Sequence, residues 1–145
     1  MTEQEYLENR LKKQIEWYDT KSQTNQKWFK YFKIIEFVSA ALIPLLVAYS
    51  DECVYIKFIV AGLGALIAVI ASLLGLYKYQ ENWIEYRTTA ETLRHHQHLY
   101  LTQCAPYDDD DNRFCKLVEA TEGLISKENS NWASYVKKVP KKQDA

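Results

Sequence analysis

The stretch "IVAGLGALIAVIASLLGLYKY", residues 59–79, decides how this chain is read. It holds three of the four glycines in the sequence and no charge before Lys78. The uncharged run from Phe58 to Tyr77 is twenty residues long. As a helix rising about 1.5 Å per residue it reaches about 30 Å, the thickness of a hydrocarbon core. A core helix of a soluble protein carries a polar edge, and this run has none. It is therefore read as a transmembrane helix, residues 58–77.

The surroundings extend that reading. Residues 34–50, "IIEFVSAALIPLLVAYS", form a second apolar run of about 25 Å, near the lower limit for a span. Glu36 lies within a turn of its start, where a carboxylate can reach the interface, and Pro44 predicts a kink. Residues 51–57, "DECVYIK", read as an external hinge between the two spans. Trp28, Phe29, Tyr31 and Phe32 precede the first run, Tyr77, Tyr79 and Trp83 follow the second, and Tyr49 and Tyr55 bracket the hinge. Such belts mark membrane–water boundaries. Lys21, Lys27, Lys30 and Lys33 lie before the first run, and Lys78, Arg87 and Arg94 after the second. The hinge has only Lys57, beside Asp51 and Glu52. This asymmetry places both termini in the cytoplasm.

The remaining residues read as cytoplasmic helices. Residues 1–33 carry a stripe of Leu7, Leu11, Ile15, Tyr18, Ser22, Asn25, Phe29 and Phe32 at helical spacing, opened by a Thr2–Glu5 capping box. Residues 78–104 repeat the spacing with Trp83, Tyr86, Ala90, Leu93, Gln97 and Tyr100. "APYDDDDN" breaks the helix, and residues 105–138 hold a loop and a last helix from about Asp111. That helix carries Phe114, Val118 (with Leu117), Thr121, Ile125, Trp132 and Tyr135 on one face and folds back on the other cytoplasmic helices. Residues 139–145 form a tail. The fold class expected is an all-α membrane protein, a two-transmembrane hairpin extended into a cytoplasmic antiparallel bundle.

Composition narrows the function. Net charge is −1, with no basic surface for nucleic acid. The N-terminal 33 residues are polar and mixed in charge, so no secretory signal is expected. Cys53, Cys104 and Cys115 lack metal-site spacing and read as reduced packing residues. His95, His96 and His98 lie close together with Cys104 beyond them, but a fourth ligand at reliable spacing is missing, so they read as a solvated polar face. Asp108–Asp111 lacks the alternation and glycine of a calcium loop and reads as helix capping. No nucleophile elbow, phosphate loop or zinc-protease motif occurs, and neither enzymatic activity nor a cofactor or metal is expected.

One constellation remains. Ala61, Ala65, Ala68, Ser72 and Gly75 recur at steps of four and three, making a narrow face of small residues. In lipid, helices associate by close backbone approach, so this face suits packing against the first span or a neighbouring subunit. The spacing favours that packing, and the other reading is a narrow apolar conduit. A two-span hairpin cannot enclose a pore alone, so either reading calls for a homo-oligomer in membrane lipid. In a conducting oligomer Glu36, Asp51 and Glu52 would form carboxylate rings favouring cations. In the cytoplasmic part, Trp17, Asp19, Trp83, Tyr86 and Arg87 are expected to meet, with Arg87 pairing Asp19 or Glu16, either as a bundle-stabilising network or as a ligand site.

The segments "YLENRLKKQIEWYDTKSQTNQKWFKYFKI", "LYKYQENWIEYRTTAETLRHHQHLYL" and "ISKENSNWASYV" resemble the SLATT superfamily of bacterial two-transmembrane proteins, long catalogued as a domain of unknown function. The likeness covers roughly residues 5–136. Its most specific pieces are Gln14 to Asp19 with Lys21 and Ser22, then Trp83 with Tyr86 and Arg87, and Glu128 and Asn129 with Trp132. The resemblance implies an oligomeric pore-forming effector of a prokaryotic conflict system, partnered by a separate nucleotide-signal or sensor protein. A non-conducting membrane-anchored scaffold is the alternative.

Overall fold

The computed structural model describes residues 2–49, 54–109 and 111–137, with side chains as far as residue 131. Asp51, Glu52 and Cys53, the buried face expected from Trp132 and Tyr135, and the tail lie outside the described residues and side chains. Every regular element among those described is helical: α1 (Glu3–Glu5), a π-helical turn (Tyr6–Leu11), α2 (Lys12–Val47), α3 (Val54–Tyr77), α4 (Tyr79–Leu101) and α5 (Arg113–Lys137). They form two compact units, one of residues 1–19 and 87–145, the other of residues 20–86.

In the first unit the expected capping box is present. The Thr2 side chain accepts from the Glu5 amide, while the Glu5 carboxylate takes the Thr2 amide at 3.0 Å. The stripe then departs from expectation. Tyr6 and Leu11 are buried rather than Leu7 and Leu11. In an α-helix residues five apart point in different directions, but a π turn closes i→i+5 bonds and returns them to one face. Leu11, Ile15 and Tyr18 continue the buried line, and Ala90, Leu93 and Tyr100 of α4 and Leu117, Thr121 and Ile125 of α5 are buried in the same unit. Tyr107, in the loop between α4 and α5, is also buried. The aspartates precede α5 rather than sitting in its first turn, and Asp109 lies 3.7 Å from the Lys116 ammonium.

The second unit has a different character. Here α3 is apolar and almost uncharged, and most of its surface is exposed. Ile70 is its one fully buried side chain, and Ser39 of α2 is buried too. Ile56, Val60, Leu63, Ile67, Ile70 and Leu74, with Leu73 beside the last, are its shielded positions, again mainly at steps of four and three. Large residues therefore fill the packed stripe, and dispersion contacts along it hold the unit together. Among the described residues, one helical stretch, Val54–Leu101, is long and apolar enough to cross a membrane. The apolar end of α2 does not reach the same measure, because Lys30, Lys33 and Glu36 interrupt it and the described helix stops at Val47.

Between α3 and α4 the ladder changes at Lys78, which takes a left-handed conformation (φ 49°). A side chain with a Cβ resists that region, so the joint must be held by its neighbours. Asn82 donates its side-chain amide to the Tyr77 carbonyl at 3.1 Å, and the Tyr77 and Tyr79 rings stack at 5.5 Å. Phe32 of α2 lies against Tyr79, and Trp28 stacks on Phe32. The aromatic belt expected from the sequence is thus partly a packed cluster at the end of α3.

Candidate functional site

In the second unit the five small residues, Ala61, Ala65, Ala68, Ser72 and Gly75, are all exposed. A Cβ added at Gly62, Gly64 or Gly75 would meet nothing within 4 Å. Within one chain the small face is therefore open, since the packed stripe of α3 uses other residues. Ser72 satisfies its own hydroxyl by donating to the Ala68 carbonyl at 2.8 Å, so it can lie against an apolar neighbour at little cost. Glu36 is half-buried and pairs with Lys33 at 2.8 Å. Trp83 places its indole N–H in the interior without an acceptor, while its carbonyl accepts from Ser22 at 3.0 Å. Tyr86 is half-buried.

The first unit holds the polar chemistry. The hydroxyl of Thr121, which is wholly buried, lies 2.7 Å from the Tyr6 oxygen and 2.8 Å from the Leu117 carbonyl, and its one proton can be given to either. Tyr6 also donates to Glu122 at 3.2 Å, and Arg10 clamps that carboxylate with Nε and Nη2, both at 3.0 Å. The guanidinium holds the Glu122 carboxyl below its ordinary range, while burial pushes the Tyr6 phenol up. Both charged groups are more than a third exposed, so the clamp contributes about 1 kcal/mol or less. Arg10 reaches Glu122 from the π turn, one helical turn beyond Tyr6.

A second cluster joins the α4 end to the loop. His96 Nδ1 and the Tyr107 hydroxyl lie 2.8 Å apart, and the Tyr107 ring meets Tyr100 edge-on at 5.8 Å. The Arg113 guanidinium sits over Tyr100 at 5.2 Å and lies 3.9 Å from Glu3. Burial raises the Tyr100 hydroxyl to about 12, with Glu3 adding to the shift. That hydroxyl has no partner in hydrogen-bond geometry. Burial also pushes the His96 imidazole down, with His95 acting in the same sense.

Of the residues expected to meet, Trp17, Asp19 and Arg87 belong to the first unit and Trp83 and Tyr86 to the second. Asp19 pairs with Arg94 at 3.3 Å. Arg87 lies 3.6 Å from Glu91, one turn along its own helix, where an i,i+4 pair needs no long reach. Trp17 is 46% exposed and meets Tyr18 edge-on at 5.0 Å. Tyr18 is buried and donates to Glu128 at 2.9 Å, which joins two of the segments quoted for the SLATT likeness. His95 and His98 are exposed, and among the described residues no three His, Cys, Asp or Glu side chains gather where a metal ion would bind. Arg10, Glu122, Tyr107 and Arg113 were not singled out from the sequence. Only Thr121, polar within an apolar stripe, hinted that a buried hydroxyl needed a partner there.

Among the described residues, fold and sites define a helical protein with a hydrogen-bonded bundle and one exposed helix long and apolar enough to cross a membrane. The chain belongs to the family described as "Protein of unknown function (DUF4231)", whose model matches residues 13–114. That span takes in nearly all of α2, the whole of α3 and α4, and the start of α5. No curated protein and no solved structure matches the chain at a significant level.

Proposed function

We propose that this protein is an oligomeric, pore-forming or ion-conducting membrane protein gated through its cytoplasmic helices, serving as an effector in a prokaryotic conflict system. The observation carrying the proposal is α3: long, apolar, exposed, and bearing an open face of small residues. Large exposed apolar surface calls for lipid or a partner, and small faces in lipid call for close helix neighbours. The 34–50 run supplies a second span, closing a hairpin whose basic borders face the cytoplasm of a bacterial inner membrane. The likeness to the SLATT superfamily supplies the effector role and the separate nucleotide-signal or sensor partner.

The test is ion flux through purified protein in liposomes. Conductance that depends on the protein and is altered by Ala68→Leu supports the reading; no flux under any trigger, with second spans that never surround a common axis, overturns it. One observation favours the alternative of a non-conducting membrane-anchored scaffold: Glu36 is already paired with Lys33 of its own helix, which weakens it as a cation-attracting ring. Under that alternative the oligomer forms without conductance.

A further inference from the structure

Along α2, Phe29, Lys30, Lys33, Ile34 and Phe37 line an open groove of about 380 Å³ with an apolar wall. Lys33 is committed: its ammonium holds Glu36 at 2.8 Å and lies over the Phe37 ring at 5.7 Å. Lys30 is exposed and has no ion-pair partner among the described residues. Beyond the lysines the same helix face continues through Ile34, Phe37, Ala41 and Leu45, all exposed. One unpaired cation thus stands at the head of an exposed apolar stripe that runs away from it along the helix.

We propose that this groove is a binding site for an anionic phospholipid. The phosphate diester accepts from the Lys30 ammonium, with Lys27 one turn earlier adding attraction, and one acyl chain lies along Ile34, Phe37 and Leu45. Lys33 neutralises Glu36 and so removes the repulsion that a carboxylate at the groove would exert on a phosphate. Charge order along the helix matches the order of head and chain in a lipid whose headgroup faces the cytoplasm. A second copy of the chain fits less well, because a two-fold contact through this face would bring Lys30 against Lys30. The proposal rests on the membrane reading above.

The test uses the full-length chain in detergent, stripped of lipid, with phosphatidylglycerol or phosphatidylcholine added and bound lipid counted by native mass spectrometry. Phosphatidylglycerol is expected to bind in preference. Lys30→Gln should weaken its binding about fivefold, the effect of one basic residue at an anionic surface. Lys30→Arg should retain it, and so should Lys78→Gln, which removes a lysine already near Glu81 at 3.3 Å. Equal phosphatidylglycerol binding by Lys30→Gln and wild type overturns the proposal. Inorganic phosphate binding as tightly, with no loss on Phe37→Ser, would make the site a free-anion site and overturn the lipid assignment. A changed oligomer in Lys30→Gln with unchanged lipid binding would assign the groove to a second copy. Failure of the chain to float with vesicles of either lipid would instead refute the membrane reading itself.

Discussion

Replacing Ala68 by leucine isolates what the small face does. Ala68 is exposed, and around it a Cβ at Gly64 or Gly75 would touch nothing within 4 Å. A leucine side chain there therefore projects from an open face of its own chain, and the fold of a single subunit should keep its helix content. Against a neighbouring helix the outcome differs. Overpacking a close contact costs about 1–3 kcal/mol, which weakens association roughly fivefold to more than a hundredfold at each interface. The assay is light scattering on detergent-solubilised protein through a dilution series, with circular dichroism on the same samples. Val69→Leu, exposed but off the small face, is the control. Ala68→Leu should dissociate at higher concentration than wild type while Val69→Leu does not. Identical assembly of both variants would refute the reasoning and turn the small face toward lipid. A loss of helix content in Ala68→Leu would refute the claim that the face is open within the chain.

Three further outcomes follow from the described geometry. Thr121→Val keeps the shape of a wholly buried side chain but removes its bond to Tyr6, which retains Glu122; unfolding in denaturant should show a loss of about 1 kcal/mol, and an unchanged midpoint would mean the hydroxyl pair carries no net stability. Because the His96 imidazole is depressed in the folded chain, the unfolded chain takes up its proton first as pH falls. Stability should therefore decline from about pH 6.5, the ordinary histidine value, down to the lower folded value, and His96→Gln should flatten that part of a melting-temperature profile; a wild-type profile with no such decline would contradict the burial of His96. At Lys78 the left-handed backbone favours glycine, so Lys78→Gly should raise stability by up to about 1 kcal/mol and Lys78→Val should lower it by at least as much. Equal melting temperatures for the two would show that the joint straightens.

Much of this architecture is legible in residue spacing. The capping box at Thr2, the buried line Leu11–Ile15–Tyr18, and the stripes of α4 and α5 follow from helical periodicity and local hydrogen bonding. The π turn was not legible, because no composition marks it; it emerges where Tyr6 must reach Thr121 while Leu11 keeps its own place. Lys78 hid for a similar reason, since a positive φ is expected at glycine or asparagine and here the neighbours impose it. Partner choice among charges was the least legible part. Asp19 had several arginines within sequence reach, and which one it meets depends on how α2 and α4 are staggered, a quantity no single helix encodes. The small face was visible as a pattern, but its openness depends on which stripe of α3 is packed.

The π turn can also be stated in terms of chain length. Between Tyr6 and Leu11 the helix holds one residue more than an α-helix would need to set both side chains on one face. It is a length change recorded in place: the extra residue is absorbed as a local widening instead of rotating everything that precedes it. Glu8 and Asn9, both exposed, are the positions where that residue is least missed. A chain shorter by one there would have Tyr6 and Leu11 four apart, and an ordinary helix would present the same phenol to Thr121. A deletion of one residue there is thus expected to leave the buried face in place, where the same deletion in a uniform helix would scramble it.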